Sequence, residues 1–560
     1  MVNVKNLFGM AVMATALVGC SSNDNLAPDG KDNVGKAGEA YASFTINLPT
    51  TTGTRADGDA ELNPGTAAEY EVKNGTILIF DKDGLYVTSA QLGTMNPWTP
   101  VKTDGVTTAA ITTVKLSGVK VGGDYQALVL LNNDVDATTS KVTLPTTGTP
   151  YATWSAEASN VNAEKYASTD GIFMANAPKY TGTTTEPTTL VPIANVCASR
   201  EEAQAKVATT VYVERGLAKV TMQNFTADGY TVAEGTYKND KVEIKNWQLD
   251  VTNKSTFPVH QTGDLSKGFA AIWSTPRFYD GGNQSFKRVY WGVDPNYSGA
   301  TLQKLPACKK AFTMIGKNDI TGKTGNDHPQ YCLENTFDLA NMMQGQTTRV
   351  VFKAVYTPSA LVGTTEKTFY KIGNNTAIWT KANLETQIHT VAVTAMGITN
   401  ADEQAKYGVK LDATDNNISG VAGQHLIKAE NITYTGDAAG NKVTEDVVNK
   451  INEKLGLTAA VGISTYLHGE AYYIARIKHF NELTPWTAGT PYNGDNKAFL
   501  GRYGVLRNNW YDLSVNSISG LGYPEVPEVK PTVPDDENDQ YINVEVKILD
   551  WAMRKQVIDL

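Results

Sequence analysis

At 560 residues the chain is long enough to bury a large core and to form two or three domains. Charged residues make up 19% and the formal net charge is −9, spread without long runs, so no basic stripe exists to neutralise phosphates and nucleic acid is excluded as a partner. Thr, Gly, Asn, Val and Tyr are frequent and long helical patterns are scarce, the profile of an exported, mainly β protein.

The chain opens on Lys5 and an apolar run, Leu7 to Val18, too short to span a bilayer as a permanent helix. The run ends Leu17-Val18-Gly19-Cys20, the small-residue-then-Cys pattern of a bacterial lipoprotein signal. Residues 1–20 are therefore expected to be a signal, with lipid on the Cys20 thiol and a further acyl chain, palmitate in kind, on the new N-terminus. Each buried methylene adds roughly 0.8 kcal/mol, so two or more chains anchor stably. Beyond the signal no apolar stretch approaches a spanning length, which leaves the lipid of the precursor as the expected membrane contact. Polar filler follows, and then Tyr41 to Leu48 alternates: Ala42, Phe44, Ile46 and Leu48 on one face, Ser43, Thr45 and Asn47 on the other. That period of two is a half-buried strand. Arg55-Ala56 sits among Thr, Gly and Asp, where an arginine is open to proteolysis. Residues 21–55 thus read as a propeptide carrying the first strand, released by a cut after Arg55.

Val72 to Phe80 and Leu85 to Ser89 predict a hairpin turning at Asp83-Gly84. Tyr125 to Leu131 suits a central strand and Ile172 to Ala175 a short one. Ser199 to Val207 is a helical patch with Ser199 as cap, and this interval is the expected domain boundary, giving domains at 56–207 and 208–523. The second region continues in strands at Thr209–Arg215, Ala218–Met222, Val242–Val251, Arg349–Tyr356, Lys367–Ile372, Ala471–Ile477 and Trp510–Ile518. Its one credible helix is Thr444 to Leu455, capped by Thr444, with Val447, Val448, Ile451 and Leu455 on one face. Residues 524–560 have their own character. Pro524, Pro527, Pro531 and Pro534 predict a stiff, solvated spacer, and Tyr541 to Leu549 alternates again, with Ile542, Val544, Val546 and Ile548 on one face.

Motifs of catalysis are missing. There is no His-Glu-x-x-His, no Walker loop and no Gly-x-Ser-x-Gly elbow, and the histidines lie scattered without metal-ligand spacing. Asp57-Gly58-Asp59 and Asp81-Lys82-Asp83-Gly84 are better read as turns than as calcium loops. The expectation is a protein without metal or cofactor and not an enzyme. Of the remaining cysteines, Cys308 and Cys332 could pair in an oxidising compartment and leave Cys197 single; sequence leaves the pairing open.

Taken together, several segments resemble the major fimbrillins of Bacteroidales, the subunits of type V pili, and most of all the branch of the shorter, minor-type fimbriae. They are the lipobox at Cys20, the strand at Tyr41 to Leu48, Arg55-Ala56, Tyr125 to Asn132 and Val211-Tyr212-Val213-Glu214-Arg215-Gly216-Leu217-Ala218-Lys219. Tyr331-Cys332-Leu333-Glu334-Asn335-Thr336, Val505-Leu506-Arg507-Asn508-Asn509-Trp510-Tyr511 and Val544-Glu545-Val546-Lys547-Ile548-Leu549-Asp550-Trp551 complete the set. Gly373 to Val461 matches poorly, and inserted elements are expected there. The resemblance implies two transthyretin-like β-sandwich domains with a few short helices, made as an outer-membrane lipoprotein. It implies cleavage after Arg55 by an Arg-specific protease, loss of the strand bearing Ala42, Phe44, Ile46 and Leu48, and its replacement by Ile542, Val544, Val546 and Ile548 of a neighbouring subunit. The implied partners are identical subunits, accessory and anchor fimbrial proteins, and host or bacterial surface receptors. The alternative is a tip or accessory fimbrial adhesin, or a glycan-binding surface lipoprotein.

Overall fold

The computed structural model describes residues 38–49, 65–93, 99–103, 106–134, 140–168, 171–179, 187–263, 289–322, 328–411, 424–479, 499–535 and 542–549, apart from 224, 227 and 290. The chain is mainly β. Its first sheet comprises β1 (Glu39–Pro49), β2 (Gly75–Asp81), β3 (Tyr86–Gln91), β4 (Thr99–Thr103), β5 (Val106–Ser117), β6 (Tyr125–Leu131), β7 (Met174–Asn176) and β8 (Thr209–Arg215), in the order β3-β2-β6-β7-β8-β1-β5-β4. The short strand Val191–Pro192 pairs with β6 beside this path. The N-terminal strand therefore lies inside the sheet, parallel to β8 and antiparallel to β5.

The sheet bends so that its layers face each other. Phe44, Ile46 and Leu48 of β1 share one core with Ile77 and Ile79 of β2, Val129 and Leu131 of β6, and Val211 and Val213 of β8. The opposite faces of β2 and β6 are apolar as well, and Leu78, Phe80, Leu128 and Leu130 pack with Trp154, Tyr166 and Phe173. Strands covered on both sides read as unbroken apolar runs, and Ile77–Phe80 and Ala127–Leu131 do so. The β2–β3 hairpin turns where its sequence predicts: Asp81 Oδ1 accepts from the amides of Asp83 and Leu85, both at 2.9 Å, and Gly84 takes φ +79°.

The second half is a sandwich. β9 (Ala218–Met222), β12 (Gln330–Cys332), β18 (Trp510–Ile518) and β19 (Ile542–Leu549) form one sheet in the order β12-β9-β18-β19. β10 (Tyr230–Thr231), β11 (Lys241–Asp250), β13 (Arg349–Thr357) and β17 (Glu470–Arg476) form the other, in the order β10-β11-β13-β17. Met222, Trp247, Phe352, Tyr473, Tyr511 and Leu513 fill the space between.

The chain passes between the two halves at Gly216–Leu217, beyond the expected boundary at 207/208. Val211 and Val213 belong to the first core, which draws Thr209–Arg215 into the N-terminal sheet. Gly216 is required at the crossing, because a Cβ there would stand 2.8 Å from Phe173 Cδ1.

Between the neighbouring strands β13 and β17 lies an inserted α/β unit. β14 (Phe369–Ile372), β15 (Gln424–His425) and β16 (Ile463–Tyr466) pair in the order β14-β16-β15. Around Tyr370, Leu384, Ile388, Tyr407, Ile451 and Ile463 the unit has a core of its own. Its helix at Glu445–Lys454 matches expectation, with Thr444 accepting from the Val447 amide at 3.3 Å. The longer helix Lys381–Ala395 is unexpected. Thr386, Thr390 and Thr394 are β-branched, yet each hydroxyl donates to the carbonyl four residues back, at 2.9, 2.9 and 2.7 Å, while Leu384, Ile388 and Ala392 bury the other face.

One open question is answered and one expectation is corrected. Cys197, Cys308 and Cys332 are buried and none of them is in a disulfide, so Cys308 and Cys332 are not paired. Cys308 sits on the short helix Leu305–Ala311 with its Sγ donating to the Leu302 carbonyl at 2.8 Å, and burial pushes the Cys332 thiol up to about 12. The proline stretch is not a solvated spacer. Val529 is buried with Val251, Leu302 and Phe312; Pro527 O accepts from Arg349 Nη2 at 2.6 Å; Asp535 is buried and accepts from Thr347 Oγ1 at 3.0 Å. Residues 523–535 run as a strap along the sandwich, where Tyr523 and Tyr472 exchange backbone hydrogen bonds, both at 2.8 Å.

Candidate assembly site

Everything about β1 marks it as an internal strand. Ala42, Phe44, Ile46 and Leu48, the inward set expected from alternation, are fully buried. Its backbone pairs with β5 along its length and with β8 from Phe44 to Asn47. As the most N-terminal strand described, it joins the rest of the sheet covalently only through residues 50–64, the segment that contains Arg55. Cys20, Arg55 and Ala56 themselves lie outside the described residues.

The outer face of β1 is covered too. Asn195 to Cys197 lead into α2 (Arg200–Ala205), whose N-cap Ser199 accepts from the Glu202 amide at 3.1 Å, as its sequence predicts. Tyr41 and Cys197 exchange backbone hydrogen bonds, N to O at 2.9 and 2.8 Å. Ser43 Oγ donates to the Ala203 carbonyl at 2.8 Å and lies 2.8 Å from Thr113 Oγ1. Arg200 stands 5.8 Å over the Tyr41 ring and donates from Nη1 to the Thr113 carbonyl at 2.9 Å. At one end Lys115 Nζ meets Glu39 Oε2 at 2.8 Å. β1 therefore occupies a slot with strands on both sides, core beneath and a helical clasp above. Sequence reasoning found the strand and the helix but not their contact, which no local pattern encodes.

The first described helix after β1, α1 (Ala67–Tyr70), is held by both halves of the chain. Glu69 is buried and pairs with Lys219 Nζ at 2.6 Å, accepts from Tyr331 Oη at 2.6 Å, and takes the Thr66 amide at 2.6 Å. Burial alone would raise this carboxyl; the charge and hydrogen bond of Lys219, with Tyr331 and Thr66, outweigh it and hold the group below its usual range. Arg215 Nε donates to the Glu69 carbonyl at 3.0 Å, and Lys219 Nζ lies 3.7 Å from the Trp510 ring centre. Nearby, Glu214 and His260 approach to 2.7 Å, and burial raises Asp294 to about 7.

The other half of the expected constellation lies at an edge. β19 pairs only with β18 among the described residues, antiparallel, with Ile542, Val544, Val546 and Ile548 opposite Ile518, Val515, Leu513 and Tyr511. The two expected sets of aliphatic residues are thus on different sheets, one internal and one terminal. The described residues contain no cluster of His, Cys, Asp or Glu able to hold a metal ion, and no helix among them is long and apolar enough to cross a membrane.

Among the described residues, then, the first strand is enclosed and the last lies at a sheet edge. Residues 464–557, from within β16 to the tail, match the family described as major fimbrial subunit protein type IV, fimbrillin, C-terminal. Over those residues the chain is similar to the C-terminal region of fimbrillins. No curated protein matches the sequence. Among solved structures, a protein assigned to cell adhesion from Parabacteroides distasonis aligns at 10% identity over 92% of this chain and 99% of its own, with a TM-score of 0.39. One similarly assigned from Bacteroides eggerthii aligns at 12% identity over 93% and 98%, TM-score 0.35. The tip fimbrial protein Mfa3 of Porphyromonas gingivalis aligns at 12% over 91% and 100%, TM-score 0.28.

Proposed function

We propose that this chain is a structural stalk subunit, exported as a lipoprotein lipidated on Cys20, cleaved between Arg55 and Ala56, and polymerised when the C-terminal strand of one copy takes the place of β1 in the next. The observation that carries the reading is the enclosed position of β1, tethered only by the segment holding Arg55. Cleavage there leaves β1 bound by noncovalent contacts alone. Its departure exposes two rows of unpaired backbone groups and an apolar trench, a template for strand addition. A donor burying four aliphatic side chains at roughly 1.5–3 kcal/mol each regains about 6–12 kcal/mol before ordering costs. Slot and donor are different surfaces, so the contact is heterologous and propagates as an open fibre.

The test is digestion of purified precursor with an Arg-specific protease while N-terminal sequence and particle mass are followed together. A new terminus at Ala56 with denaturant-resistant polymer, and monomer only from a variant lacking Tyr541 to Leu560, is expected. Polymer from that truncation would rule out donation by the tail. A clean cut yielding monomer from the full chain would favour a tip or accessory role.

A further inference from the structure

Resting on the exchange reading above, we propose that the slot takes the tail of a second copy parallel to β8, in the register that sets Tyr541 where Tyr41 lies, and that Arg200, Ala203 and Lys115 enforce that register. In sequence, Asp539-Gln540-Tyr541-Ile542-Asn543-Val544-Glu545-Val546-Lys547-Ile548 follows Glu39-Ala40-Tyr41-Ala42-Ser43-Phe44-Thr45-Ile46-Asn47-Leu48 position by position. An acid leads, a tyrosine comes two residues later, and aliphatic residues then alternate with polar ones. The inward sets differ by about two side-chain carbons in total, within what a core accepts by repacking.

The outer-face contacts of β1 have counterparts in the tail. Lys115, 2.8 Å from the Glu39 carboxylate, receives Asp539. Arg200, over the Tyr41 ring, receives Tyr541. The Ala203 carbonyl, which accepts from Ser43 Oγ at 2.8 Å, receives the carboxamide N–H of Asn543. Tyr212, hydrogen-bonded to Asn47, receives Lys547. The cost is Gln540 at the buried position of Ala40, an uncharged amide at the strand's end.

The alternatives fare worse. A slip of one residue turns every aliphatic side chain outward. A slip of two residues in one direction drives the Tyr541 ring into the place of Ser43, which is 8% exposed between Ala203 and Thr113. In the other direction the carboxylate of Glu545 faces the Ala203 carbonyl, acceptor against acceptor. Reversing the strand with its aliphatic residues inward either buries the Asp550 carboxylate at Ala40 or Ala42, or brings Lys547 against Arg200.

Disulfide trapping tests the register. Thr45 lies opposite Ile111 on β5, and Ile111 is 68% exposed, so the register places Glu545 of the second copy opposite that site. Ile111→Cys is combined in turn with Asn543→Cys, Glu545→Cys and Lys547→Cys, cleaved at Arg55, mildly oxidised, and run denatured without reductant. The native thiols described are buried and do not compete. The Glu545→Cys combination is expected to give a ladder of covalent oligomers at least about tenfold stronger than its neighbours, since a bridge tolerates little displacement. Non-covalent polymer from all three with the ladder in Asn543→Cys or Lys547→Cys would overturn the register and leave exchange standing. Failure of the unsubstituted chain to polymerise would overturn both. A second measurement needs no bridge: Lys115→Glu and Asp539→Lys should each slow polymerisation about threefold, the scale of an exposed ion pair, and together restore it. Additive slowing would count against the register.

Discussion

β1 and β19 are alike in sequence and opposite in setting. Both alternate aliphatic with polar residues over about the same length, yet β1 has a strand on each side, a core beneath and α2 above, whereas β19, among the described residues, pairs with β18 only. Alternation specifies which face of a strand is apolar; it says nothing about how many neighbours the strand will have. Under the proposed strand exchange, the difference falls where self-assembly needs it. A strand paired on one side detaches by breaking one ladder, while a strand paired on both leaves a vacancy that only another strand can fill.

The sharpest way to break that contrast is to weaken the enclosed strand. Phe44→Ala in the uncut precursor should cost about 3–5 kcal/mol, as for large-to-small substitutions at fully buried aromatic sites. Val515→Ala, at a half-buried site opposite Val544 of the edge strand, should cost about 1 kcal/mol. Denaturant unfolding of the two variants measures both. Equal costs would mean that β1 is no better held than β19, and the contrast would fail.

The next effect lies at the junction that, under the proposed exchange, must survive when β1 leaves. Glu69→Gln strands the Lys219 ammonium in a buried site and should cost about 3 kcal/mol at neutral pH. The sign with pH follows from the direction of the shift. Glu69 is held below its usual value of 4.5, so its stabilisation is complete above that value and is lost as pH falls through the folded-state value. The gap between wild type and Glu69→Gln should therefore close in acid. Asp294 acts oppositely: raised by burial to about 7, it favours the folded state below its ordinary range and loses that contribution as pH rises toward 7. Unfolding measured from pH 3 to 8 separates the two. A pH-independent gap would remove Glu69 as the group responsible.

What the sequence disclosed was local. Tyr125–Leu131 and Trp510–Ile518 are strands to the residue, the Asp83-Gly84 turn is in place, and Ser199 and Thr444 cap the helices they precede. Each of these follows from neighbours a few positions apart. The misses are of other kinds. The helix at Lys381–Ala395 hides behind threonines whose hydroxyls are satisfied within the helix itself. The proline strap looked solvated because composition cannot show Val529 entering a core made by Val251 and Phe312. The clasp over β1 and the Glu69–Lys219 pair join residues far apart in the chain, and only the fold brings them together.

The smallest effect concerns the clasp, and it sharpens the comparison most finely because it touches β1 without touching its core. Ser199 caps α2 by accepting from the Glu202 amide, and α2 presents the Ala203 carbonyl to Ser43 and Arg200 to Tyr41. Ser199→Ala should cost about 1 kcal/mol, the usual worth of such a cap. A destabilised clasp loosens a strand that it covers and leaves one that it does not. After cleavage at Arg55, the released segment carrying β1 should leave the variant about fivefold faster than wild type, the rate equivalent of that energy, while the pairing of β19 with β18 stays unchanged. Both are read by hydrogen exchange in the backbone amides of the two strands. If the amides of β19 gain exchange as much as those of β1, the substitution has loosened the whole subunit, and α2 is not a clasp specific to the enclosed strand.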